Sequence, residues 1–154
     1  MVSLLVRPQI RKLVDRKAQR ALAGRLRLAL QSLERSRCEV ALLLTGDDEI
    51  RELNRSYRKL ARATDVLSFH QLELQGEDDV RADGAFLGDI VISVETALRR
   101  AGRARLGGEL ARLAIHGLCH LFGHDHHRPG EARLMRALEQ KLLRLSRSKR
   151  NAKA

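Results

Sequence analysis

Apolar positions along this chain follow two different periods, and the switches between them mark out its elements. Val2 to Val6 is a short apolar run and predicts a strand. From Pro8 the spacing turns helical, with Ile10, Leu13, Val14, Leu22, Leu26 and Leu30 in step. This predicts a helix from Pro8 to about Leu33, with Gly24 as its weak point. Glu39 to Leu44 reads as a second strand, apolar enough to be buried on both faces. Gly46-Asp47-Asp48-Glu49 supplies an N-cap and an acidic first turn, and Ile50, Leu53 and Tyr57 form the helical stripe that follows. Val66 to Phe69 is a short strand, residues 70–85 are a polar, acidic loop, and Ile90 to Ile92 is a strand led in by Leu87-Gly88-Asp89. Ser93 caps a helix through Ala101. Leu106, Leu110, Leu113, Gly117 and Leu121 share one face of the next helix. After Pro129-Gly130, a last helix runs from Glu131 to about Leu145. The order β-α-β-α-β-β-α-α-α predicts an α+β fold, one domain with a mixed, mostly parallel four-stranded sheet covered by about five helices.

Chemistry concentrates at the end of the fourth of these helices. Five of the six histidines lie between His116 and His127. Three of them follow H-x3-H-x2-G-x2-H: His116, His120, Gly123 and His126. His116 and His120 are i and i+4, on one helix face and about 6 Å apart along the axis. Gly123 is free to take positive φ and end the helix, so the chain turns and returns His126 toward the same point. Three imidazoles and one open position are the donor set of a catalytic zinc site, one Zn²⁺ per chain. His124 is the rival third ligand, and Asp125 either accepts from a ligand imidazole or caps the turn after Gly123. Zinc peptidases place a glutamate directly after the first histidine as general base. Here that position is Gly117, so the cage is present without the base.

Composition narrows the partner. The chain has 154 residues and 44% hydrophobic positions, enough for one globular domain. Thirty Lys+Arg against 19 Asp+Glu give a net charge of +11, and so basic a small domain meets a polyanion. The charge is concentrated: residues 7–37 hold ten basic and two acidic residues, and Lys141 to Ala154 hold six basic and none acidic. Aromatics are only 3%, which argues against a base-stacking platform and for backbone contact by Arg and Lys. No apolar run approaches the ~20 residues of a membrane span. Met1 to Val6 is too short for a signal-peptide core. The expected location is the cytoplasm. Cys38 and Cys119 stand far apart and suggest no disulfide framework; Cys119 reads as buried and inert.

Three separated segments carry a family resemblance. They are Asn54-x-x-Tyr57-Arg58 with Thr64 to Phe69, Leu87 to Ser93, and His116 to His126 with Met135 and Glu139 beyond. In order and spacing they resemble the YbeY family of bacterial rRNA maturation factors, single-strand endoribonucleases with one bound zinc. The resemblance covers about residues 40–140. It implies His116, His120 and His126 as ligands and Arg58 as the catalytic cation near the metal, a role no spacing argument selects among so many arginines. It also implies single-stranded rRNA as substrate, 16S rRNA 3′-end maturation and ribosome quality control as the setting, and the small ribosomal subunit with its assembly proteins as partners, with no membrane and no DNA specificity. Cys119, His124 and His70 depart from the usual pattern. The expected division is one hydrolase domain over 1–147 and a basic, disordered tail over 148–154. Two other readings stand beside this one: a metal-dependent peptidase or amidase, against which Gly117 counts, and a non-catalytic, zinc-stabilised ribosome-assembly factor.

Overall fold

The computed structural model describes residues 1–58, 64–70, 84–123 and 129–151. Four strands form one sheet: β1 (Val2–Val6), β2 (Glu39–Thr45), β3 (Val66–His70) and β4 (Phe86–Ser93). Their order across the sheet is β1-β2-β4-β3. β1 and β4 both run parallel to β2, and β3 is the single antiparallel strand, at an edge. Five α-helices lie among the described residues: α1 (Arg16–Ser32), α2 (Asp47–Arg58), α3 (Val94–Ala101), α4 (Leu106–Leu121) and α5 (Pro129–Asn151). The expected mixed, mostly parallel four-stranded sheet with five helices is therefore what the chain forms.

The first helix begins later than its apolar spacing predicts. Pro8–Ile10 is a short 3-10 turn, and α1 starts at Arg16. Asp15 decides this, because its carboxylate accepts from the Ala18 backbone N–H at 2.8 Å and caps the new helix. Ile10 and Val14 still reach the core, buried from the turn rather than from a helix face. At the other end, α5 continues to Asn151, past the expected stop near Leu145. Its extension is anchored by Ser146, which is buried and whose hydroxyl accepts from the Arg25 guanidinium of α1. Most of the acidic loop expected over 70–85 falls outside the described residues.

The core lies on one side of the sheet. Leu22, Leu26 and Leu30 of α1 meet Val40, Leu42 and Leu44 of β2, Ile90 and Ile92 of β4, and the buried face of α4. On the other side a smaller cluster joins Ile50 of α2 to Leu67 and Val91, with Leu43 and Phe69 against it. The expectation that β2 is buried on both faces needs correction: Val40, Leu42 and Leu44 are buried, but Ala41 and Leu43 are only half-buried. One helix, α2, is too narrow to cover the second face of four strands. Ser93 caps α3 as expected, accepting from the Thr96 N–H, and its hydroxyl donates to Asp47 at 2.6 Å. Asp47 also pairs with Arg99 at 2.7 Å, so the starts of α2 and α3 are tied together. No helix among the described residues is long and apolar enough to cross a membrane.

Candidate functional site

Helix α4 is the central helix, and its burial pattern isolates the site. From Leu110 to Leu121 every residue is buried except Arg112, His116 and His120. These three are spaced i, i+4, i+8, so they form one open stripe on an otherwise enclosed helix. Phe122 closes the helix and Gly123 takes φ +85°, with its N–H donating to the His120 carbonyl at 2.9 Å. The expected glycine turn is present.

Within the stripe the two imidazoles converge. His116 Nε2 and His120 Nε2 are 3.1 Å apart, and the rings meet edge to face at 79°. Two nitrogens bound to one tetrahedral Zn²⁺ at about 2.0–2.1 Å are separated by about 3.3 Å. The observed spacing therefore fits two ligands aimed at one ion. The other ring nitrogen of His116 is also engaged: Nδ1 lies 2.6 Å from Glu139 Oε1 of α5. A carboxylate there holds the proton on Nδ1 and leaves the Nε2 lone pair facing the stripe, as outer carboxylates do for metal-binding histidines. Glu139 takes no assigned role from the sequence. Its signal is positional: it sits between Met135 and Leu142, on the face of α5 that those two residues bury.

Gly117 is fixed by packing. A Cβ at this position meets Ile90 Cγ2 at 2.8 Å and Ser68 Oγ at 3.0 Å. The Ser68 hydroxyl, buried, donates to the Gly117 carbonyl at 3.3 Å. The bare helix surface thus lets α4 lie close against β3 and β4. The position where a peptidase carries its general base here faces the sheet, with no room for a side chain. Gly88 serves the same junction from the other side: at φ +141° its missing Cβ leaves space for the Phe69 carbonyl and Leu121. Cys119 is fully buried, and burial pushes its thiol up to about 12. It packs in the core on the enclosed side of α4 rather than along the open stripe.

Asp65 is tied to Arg100, and Asn54 is buried. Asp89, exposed on the open sheet face, has its carboxyl pushed up by partial desolvation. Positions 124–128, which carry the expected ligand His126, its rival His124 and Asp125, lie outside the described residues. So does the side chain of Arg58, the last residue of α2. Among the described residues no group of three His, Cys, Asp or Glu side chains closes around one point.

Comparison with known proteins shows the family of the chain. The family model described as Endoribonuclease YbeY matches residues 7–146. An endoribonuclease YbeY from Anaeromyxobacter sp. (strain Fw109-5) is 47% identical over 131 residues, 84% of this chain and 65% of that protein. One from Myxococcus xanthus (strain DK1622) is 50% identical over 76% of this chain and 40% of its own length. One from Dehalococcoides mccartyi (strain CBDB1) is 36% identical over 88% of this chain and 87% of its own. The chain thus spans less than two thirds of the length of the first two of these relatives. The solution structure of TM1509 from Thermotoga maritima shares the fold, with a TM-score of 0.65 at 24% identity, covering 99% of this chain and 93% of that one.

Proposed function

The chain belongs to the YbeY endoribonuclease family, and on that premise we propose that it is a zinc-dependent, single-strand-specific endoribonuclease. Its proposed substrate is rRNA, in late processing that includes 16S rRNA 3′-end maturation and in ribosome quality control. The proposed setting is the cytoplasm, with the small ribosomal subunit and its assembly proteins as partners. The observation that carries the reading is the pair of Nε2 atoms 3.1 Å apart, with Glu139 behind one of them. His116 and His120 are two of the proposed ligands and His126 the third. When bound, the ion supplies a Lewis acid for the phosphodiester oxygens. The chain supplies the rest. Glu139 holds the His116 ring in one tautomer and orientation. Arg58 is the proposed cation that stabilises charge on the phosphoryl group, a job that positioned guanidinium groups do well. His116 and His120 are both partly exposed along α4, so a strand of RNA reaches them without unpacking the core.

The packing of Gly117 supports this reading over a peptidase, because no side chain fits at the position where a peptidase carries its general base. The test separates nuclease from assembly factor. Wild type and Arg58→Ala are compared for zinc content and for cleavage of a single-stranded RNA. The expected outcome is full zinc in both and cleavage in wild type alone. Wild type that holds zinc, binds RNA and never cuts overturns the nuclease reading in favour of a zinc-stabilised assembly factor. Arg58→Ala that cuts like wild type removes Arg58 from the mechanism.

Glu139→Ala probes the outer carboxylate. Loss of such a partner typically weakens metal affinity about 10–100-fold. Competition with a chromophoric chelator measures this directly. Unchanged zinc affinity would show that the Glu139 contact only packs α5 against α4.

A further inference from the structure

The open stripe of α4 does not end at the histidines. Followed toward the start of the helix it passes Arg112 and reaches Arg105, in the 3-10 turn (Arg103–Arg105) just before α4 and about three turns from His116. There it enters a groove of about 1070 Å³ between α1, α3, α4 and the end of α5. Six cations line that groove: Lys17, Arg25, Arg100, Arg105, Arg112 and Arg147. Asp15 and Glu109 are the acids that line it. Each is engaged locally: Asp15 caps α1, and Glu109 pairs with Arg112 at 2.6 Å. Lys17, Arg105 and Arg147 are exposed and have no ion-pair partner among the described residues. Three unpaired cations around one concave surface repel each other at low ionic strength, and a polyanion relieves that repulsion. The floor is also accessible. Gly107 and Gly108 have open space where their side chains are missing.

We propose that this groove is an RNA-backbone track that runs along α4 and delivers the strand to the histidine pair. The proposal rests on the nuclease reading for the identity of the polyanion and adds where, outside the site, the strand is held. Continuity favours RNA over an acidic protein. The groove and the histidines share a single helix face, and Arg112 stands at the join, four residues from His116. The contacts available are cationic and carry no aromatic ring, so they hold phosphates and read no bases.

The test compares two triple variants of the full chain with wild type. Lys17→Ala/Arg105→Ala/Arg147→Ala removes the unpaired groove cations. Arg11→Ala/Arg27→Ala/Arg136→Ala removes three exposed cations elsewhere and matches the change in net charge. Each is titrated with a labelled single-stranded RNA over 50–200 mM salt. About 0.7 counterions are released per phosphate contact on a single strand, so the groove variant is expected to show a salt slope shallower by about 2 and binding at least about tenfold weaker at the low-salt end. The control triple is expected to stay near wild type. Equal loss in both triples overturns the track and leaves RNA binding diffuse. Wild type that binds no RNA overturns the polyanion assignment together with the nuclease reading. Retained zinc and an unchanged melting temperature in the groove triple tie its loss to the surface rather than to folding.

Discussion

His120→Ala is expected to lose both its zinc and its cleavage of single-stranded RNA, by far more than the about 100-fold that the loss of an outer-sphere partner costs. The reason is geometric. His120 supplies one of two nitrogens that already converge to 3.1 Å on one helix face. Its removal leaves two of the three proposed ligands, His116 and His126, and the carboxylate behind His116 is already committed to Nδ1. Two imidazoles leave half of zinc's usual four-ligand shell to water and hold the ion far more weakly. The fold is expected to survive, since His120 is only half-buried and the core of α4 is made by its neighbours. The measurements are zinc by atomic absorption, cleavage of a labelled RNA, and thermal melting of the same preparation. A variant that melts normally, lacks zinc and still cuts at the wild-type rate removes the metal from the reaction. A variant that keeps stoichiometric zinc moves the ligand set elsewhere.

Gly117→Glu is expected to be the most damaging single change to the fold. It restores the letter that a zinc peptidase has after its first histidine. The sequence motif alone invites that experiment as a conversion of activity. The structure gives the opposite expectation. Any Cβ here lies 2.8 Å from Ile90 Cγ2 and 3.0 Å from Ser68 Oγ. Ile90 is fully buried at the centre of the sheet and cannot move aside. Overpacking by Ala alone costs about 1–3 kcal/mol. Glu adds the burial of an unpaired carboxylate, several kcal/mol more. Against a total stability of about 5–15 kcal/mol, the sum is enough to unfold most molecules. Gly117→Ala is the graded control, expected to fold with a lowered denaturation midpoint. Soluble, wild-type-stable Gly117→Glu would refute the packing argument. Peptidase activity in that variant would reopen the hydrolase reading it displaces.

Much of this was legible in the residues, for reasons that differ by element. The parallel strands were readable because their runs are continuous and apolar, as strands between helices must be. Helix α4 was readable from Leu106, Leu110, Leu113, Gly117 and Leu121, and its end from Gly123, whose positive φ a larger residue would resist. The start of α1 was misread because Ile10 and Val14 have helical spacing yet are buried from a turn. The cap at Asp15 outweighs that spacing. The second face of β2 was misread because apolar content states what a strand tolerates, not how many helices are there to cover it.

The sequence by itself determined the local facts: the order and kind of the elements, that two histidines share a helix face, and that the chain carries a strong positive charge. Each follows from short-range periodicity or from a sum, and neither needs a partner distant in the chain. Only the tertiary structure decided the facts that join distant positions. It set Glu139 behind His116 across 23 residues. It set Ile90 and Ser68 against Gly117, turning an absent catalytic base into a packing requirement. It gathered Lys17 of α1, Arg105 of the turn before α4 and Arg147 of α5 into one groove. No pattern within a window of a few residues encodes such pairs, because they exist only once the helices have docked on the sheet and buried their apolar faces.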